Sequence, residues 1–243
     1  MKLWTPLVRR ELRSDFRSVL AWGLLAGFVA VTGVVLLLLM RSAEGGALSQ
    51  SALHFRALFL TLPVYIALVS LRSFAPEFQS GTLELLLTSP LSEQHILRAK
   101  WVRILLEALA ACALFTLCTS FSPATRLPFS HHVSVWGLMF LLLVLHIMLW
   151  ASITLYAALM FKAQSALALL AALLVTFPLG CFAAGITPFV SATGYLDSLN
   201  MLHAIQDGTV DSRPIVLCLS GTMLMLFLAR RHLEGFRWRR AAP

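Results

Sequence analysis

Six long apolar runs constrain this chain more than any other feature. They fall at about residues 19–40, 53–72, 101–121, 133–161, 165–188 and 214–230. A helix needs about 20 mostly apolar residues to cross the hydrocarbon core of a bilayer. The first, fourth and fifth runs contain no Asp, Glu, Lys or Arg; the third holds one acid, Glu107. Lipid offers no partner for backbone N–H and C=O groups, so only helices or closed barrels can span it. The runs are continuous and lack the alternation of a barrel strand. The expected fold is therefore an all-α integral membrane protein, one domain over residues 1–243, with six transmembrane helices. Composition agrees. Charged residues make up 12% of the chain, against about 25% in soluble domains.

The basic residues orient the spans. With both termini in the cytoplasm, the inner side holds Lys2, Arg9, Arg10, Arg13, Arg17, Arg72, Arg98, Lys100, Arg103 and Lys162. It also holds Arg230, Arg231, Arg237, Arg239 and Arg240, which makes fifteen of the nineteen Lys and Arg residues. Arg41, Arg56, Arg126 and Arg213 fall outside. Basic flanks against an anionic leaflet account for the net charge of +8. Membrane lipid is thus an expected partner. Nucleic acid is not, because there is no soluble domain in which basic residues interleave with aromatics. The first run is read as a retained span: eighteen residues precede it, Glu11 and Asp15 among them, and no good small-x-small cleavage site follows directly.

Residues 1–18 pattern as an amphipathic interfacial helix, with Leu3, Trp4 and Leu7 opposite the arginines. The fifth run is interrupted by Pro178, Gly180, Gly185 and Pro188. Leu196, Leu199, Leu202 and Ile205 then mark an extracytoplasmic interfacial helix before the last span. Cys112, Cys118, Cys181 and Cys218 all sit in apolar runs with no CxxC spacing. They read as small packing residues, with neither disulfide nor metal indicated. His131 and His132 lie side by side in an outer loop without a third ligand, so no metal site is expected there.

Enzyme signatures are missing. No GxxxxGK loop, HExxH or GxSxG motif occurs. Ser220-Gly221 reads as a small-residue packing pair. The chain is expected to be non-catalytic and to hold no cofactor. Two polar residues inside spans stand as candidates for a pathway or ligand site. Glu107 follows Arg103 by four residues, which also suits an ion pair on one helix. His146 lies mid-span and also suits a hydrogen bond to a neighbouring helix. An intramembrane enzyme or ligand site built on these two is one alternative function. An anchor subunit that moves nothing is another.

Between the second and third runs stands a charged interruption, FAPEFQSGTLELLLTSPLSEQHILRAK, residues 74–100. Thr82 can cap a helix, with Ser80 or Gly81 as the other choices, and Glu84 suits its first turn. Pro90 stops it and Ser92 opens the next helix. Two turns do not stand alone in water. Leu83, Leu86 and Leu87 form the stripe that must pack on something, which leaves Glu77, Glu84 and Thr88 to face elsewhere.

The stretch SGTLELLLTSPLS, with Ile96 and Lys100 after it, resembles the family of type-2 ABC exporter permeases, in particular its GldF-like gliding-motility branch. The RRELR start is similar to that family too. So are the turn DGTVDSRPIVLCLS into the last span and the tail RRHLEGFRWR. The resemblance implies a multi-pass permease subunit in the bacterial plasma (inner) membrane. It would work with ABC ATPase subunits that bind the ATP and Mg. A second permease copy, identical or paralogous, would complete it, and a periplasmic or accessory subunit is compatible with it. It also implies that segment 74–92 is the coupling helix, with Glu77, Gly81, Thr82, Leu83, Glu84, Leu86, Leu87, Ser89 and Pro90 on the ATPase. Four positions depart from the family pattern. Pro76 replaces an acid, Phe78 and Gln79 replace two arginines, and Pro214 replaces the acid after Arg213.

Overall fold

The computed structural model describes residues 8–10, 12–13, 17–42, 50–79, 93–121, 133–160 and 212–241. Five long helices account for most of them: α1 (Val19–Ser42), α2 (Gln50–Gln79), α3 (Glu93–Ser120), α4 (Val133–Met160) and α5 (Arg213–Ala241). Each is long and apolar enough to cross a membrane. The apolar run at 165–188 and the helix expected near 196–205 lie outside the described residues, so five of the six expected spans are described. Of the expected amphipathic segment, residues 8–10 and 12–13 are helical.

α2 is the hub. Its spanning window is 78% buried, against 17% in α1 and α5. It packs against α1, α3 and α4, and α4 in turn packs along α5. Leu58, Leu62 and Ile66 of α2 meet Ile104 of α3 and Met139, Leu143 and Ile147 of α4 in one core. The outer helices expose Val31, Leu38, Val216 and Met223. That surface suits hydrocarbon.

Apolar contact alone does not hold helices together in lipid, because the tails are as apolar as leucine. Cross-helix hydrogen bonds supply part of what is missing, and those described nearly all involve α2. Thr32 of α1 and Thr61 of α2 bring their hydroxyls within 2.9 Å. One donates to the other, and the hydroxyl that accepts keeps its own proton for the carbonyl four residues back, Phe28 O for Thr32 or Ala57 O for Thr61. Thr154 of α4 gives its proton to Trp150 O, so Ser70 of α2 donates to Thr154, at 2.8 Å. Thr116 of α3 gives its proton to Cys112 O, which makes His54 Nε2 the donor to Thr116, at 3.2 Å. The His54 ring also stacks on Phe115, with centroids 5.1 Å apart.

α2 carries two prolines within its helical length, Pro63 and Pro76. A proline lacks the N–H that would pair with the carbonyl four residues back, and its ring crowds that turn; mid-helix this costs about 3 kcal/mol or more. Pro63 deprives the Phe59 carbonyl. The His146 ring of α4 packs edge-on to Phe59 at 4.7 Å and hydrogen-bonds its backbone. An imidazole N–H thus replaces the absent amide. This is the membrane solution to a helix proline: a neighbouring helix provides the donor. Pro76 lies beyond the apolar run that ends at residue 72, and α2 continues through it to Gln79.

At the α4–α5 contact the Leu149 side chain packs onto Gly221, where a Cβ would lie 2.8 Å from Leu149 Cδ1. Ser220 faces outward and returns its hydroxyl to Leu217 O. The pair therefore splits its work, and glycine alone makes the contact.

The proline account is open to a double-mutant cycle in detergent-solubilised protein. His146→Leu should destabilise the fold by about 1–3 kcal/mol, the cost of an unsatisfied buried acceptor. In a Pro63→Ala background, where residue 63 again has an N–H, the same change should cost much less. Additive melting shifts would contradict the pairing.

Candidate functional site

Residues 80–92 lie outside the described residues, and with them Gly81, Thr82, Leu83, Glu84, Leu86, Leu87, Ser89 and Pro90. Glu77 falls in the last turns of α2. What is described is the pair of helices carrying this segment: α2, which enters it after Gln79, and α3, which leaves it at Glu93.

These helices are joined close to the segment by a buried lysine. Lys100 is 1% exposed, and its Nζ donates to the Ser73 carbonyl at 2.8 Å. Burying an ammonium is expensive unless it is hydrogen-bonded. A helix carbonyl has a second lone pair beyond the one its own ladder uses, and Lys100 takes that of Ser73. Lys100 also falls on the inward stripe of α3. Ile96, Lys100, Ile104 and Ala108 recur every four residues, and each is at most 1% exposed. By sequence Lys100 passes for another basic flank beside Arg98 and Arg103. Its place on that stripe is the signal that separates it from exposed Arg98.

One turn further along α3, Arg103 and Glu107 form the i,i+4 ion pair that their spacing suggests, at 3.8 Å and largely shielded from solvent. On the opposite flank, α5 joins the same end. Arg230 donates to Glu234 at 2.7 Å, and Arg231 reaches the same carboxylate at 3.4 Å. With the oxygen of the Gln94 amide turned toward it, the Arg230 guanidinium also donates to the first turn of α3, at 2.6 Å. The start of α3 is therefore held from two sides, by α2 through Lys100 and by α5 through Gln94.

Glu107 and His146 have different surroundings. Glu107 lines a groove shared with Trp22 and Leu25 of α1. His146 stands between Phe59 and Trp150, and its Nε2 is sealed from solvent without a partner among the described residues. Cys112 is buried, Cys218 half-buried and Cys118 exposed, all as free thiols. At the end of α2 and the start of α3, long helices are thus bonded to one another on either side of residues 80–92.

A family model described as ABC-2 family transporter protein matches residues 7–228. No curated protein and no solved structure matches the chain.

Lys100→Met should lower stability in detergent by about 1–3 kcal/mol by removing the charge-assisted hydrogen bond that joins α3 to the Ser73 carbonyl of α2. Lys100→Gln, whose amide still donates, should recover part of the loss. Thermal melts of the two variants beside the parent decide it; a methionine variant that melts with the parent removes the lysine from this role.

Proposed function

The chain belongs to the ABC-2 transporter family, and on that premise we propose that it is the permease subunit of an ABC exporter. A separate ATPase subunit would drive it through residues 74–92. The observation that carries the reading is the family match, which covers almost the whole chain. The helix ends described above support its mechanical part.

In this proposal two ATPase subunits bind ATP and Mg beneath the membrane, and two permease copies, identical or paralogous, enclose the path of the cargo. The plasma membrane of a bacterium is the proposed location, with both termini in the cytoplasm beside the ATPases. Fifteen of nineteen basic residues on that side support the orientation. Nucleotide-driven closure of the ATPases pushes on the leucine stripe Leu83, Leu86 and Leu87 and on the acids Glu77 and Glu84. Gly81 and Thr82 begin the coupling helix, and Ser89 and Pro90 end it.

The push reaches the membrane by way of α3, because the coupling segment leads into its first turn. A helix held rigidly along its stripe moves as a unit, and the clamp from Lys100 to Ser73 carries α2 with it. Residues 73 and 100 then act as the two ends of a stirrup, with the coupling helix as its tread. Phe78 and Gln79 stand where the family pattern has arginines. The contact therefore depends more on apolar burial and on the two acids than on basic residues.

The test is separation of docking from insertion. Leu86→Asp puts a charge on the packed stripe and should weaken ATPase binding by roughly 30-fold, as loss of a hot-spot residue does. Glu84→Arg should uncouple ATP hydrolysis from transport. Both variants should reach the membrane at parental levels. Pull-down of the ATPase in mild detergent, with its hydrolysis rate, reads the result. Parental binding and transport in both variants would refute the assignment of residues 82–90.

A further inference from the structure

α1, α2 and α3 do not close on one another everywhere. A groove of roughly 240 Å³ remains between Trp22 and Leu25 of α1, Tyr65 of α2, and Leu106 and Ala110 of α3, with Leu12 across its foot. Its lips are open: Trp22 is 52% and Leu106 44% exposed. In a membrane this opening faces lipid.

Depth follows from position along the helices. Trp22 stands in the first turn of α1, and tryptophan favours the membrane–water boundary. Tyr65 lies near the middle of the Ser51–Ser73 span. The groove thus begins at the boundary and climbs through one leaflet, on the side where α1 starts. Compact ligands are buried in pockets of about 300–1,000 Å³. This groove is smaller and open along its side, which suits a narrow flexible chain.

The walls alone would not retain such a chain. An acyl tail moving from bilayer to groove exchanges one apolar medium for another. The headgroup must fix it. Beside the foot of the groove, Val8 and Leu12 turn inward while Arg9, Arg10, Arg13 and Arg17 are exposed. Residues 9–17 carry four arginines against Glu11 and Asp15, a net charge of +2 that favours an anionic headgroup. Glu107 in the wall is ion-paired to Arg103, so the acid is partly neutralised where the tail would pass.

We propose that this groove holds one acyl chain of an anionic phospholipid, with the phosphate against the arginines at positions 9–17. The site depends on the chain spanning a membrane and is independent of what it transports.

The test uses the full chain in vesicles of phosphatidylcholine doped with brominated phosphatidylglycerol or with brominated phosphatidylcholine. Bromine quenches tryptophan on contact, and the difference between the parent and Trp22→Phe isolates the Trp22 signal. Half-quenching of Trp22 should need at least fivefold less of the anionic lipid than of the neutral one. That is the effect of about one basic residue at the membrane surface. Ala110→Phe, which fills the groove, should remove the preference. The double variant Arg13→Gln with Arg17→Gln should bring the preference down to near equality of the two lipids. Equal quenching by the two lipids in the parent would overturn the proposal. So would a preference that survives Ala110→Phe in an inserted protein, or one unchanged in the arginine double variant.

Discussion

A helix in hydrocarbon must have its backbone polar groups satisfied without help from water. α2 meets part of that demand through its neighbours. Pro63 takes away one donor, and a histidine from α4 replaces it at Phe59. Near Pro76, a lysine from α3 takes the second lone pair of the Ser73 carbonyl. Hydroxyls and a second histidine join the rest of its length to α1, α3 and α4. Among the described helices, the bundle is arranged around the one that is least self-sufficient. Its exposed members, α1 and α5, are the ones that ask least of their surroundings.

The same bonds that complete α2 also determine how force could travel through it. Dispersion contacts between apolar helices let them slide, since many registers are nearly equal in energy. A buried ammonium on a carbonyl is directional and expensive to break. Placed at Ser73 and Lys100, it stiffens the bundle at the mouth of the inserted segment. Gln94 and Arg230 brace the other side. A displacement entering there meets a junction of three helices, α2, α3 and α5, in place of a single flexible one.

The five described apolar helices are readable from the sequence because their candidacy as spans depends on length and composition alone. α1 and α4 begin at the first residues of their runs, Val19 and Val133. The Arg103–Glu107 pair was readable too, since i,i+4 spacing is a property of any helix. The end of α2 was not. Apolar counting measures hydrocarbon thickness and stops at residue 72, whereas hydrogen bonding carries the helix through Pro76 to Gln79. α5 likewise outruns its apolar stretch, from residue 230 to Ala241. The role of Lys100 was hidden by its basic neighbours, although its four-residue spacing from Ile96 and Ile104 marked it as inward. The pairing of His146 with Phe59 joins residues from different helices and becomes legible only when Pro63 is seen to leave a carbonyl open. For the coupling residues at 80–92 the reading still rests on pattern and family.

The proline in the middle of α2 has a consequence for how the protein is made. α1 and α4 carry no charged residue across their apolar lengths and can enter a bilayer on their own terms. α2 brings His54, Arg56, Thr61 and Pro63 into the same environment. The side chain that completes its backbone is His146, more than eighty residues later in the chain. During synthesis, α2 therefore spends the time needed to make α3 and most of α4 with an open carbonyl. Throughout that interval it must be kept near water, an insertion factor or a hydroxyl-bearing neighbour such as α1, whose Thr32 already faces Thr61. The order of helices along the chain is thus also a schedule, in which the hub arrives second and is finished fourth.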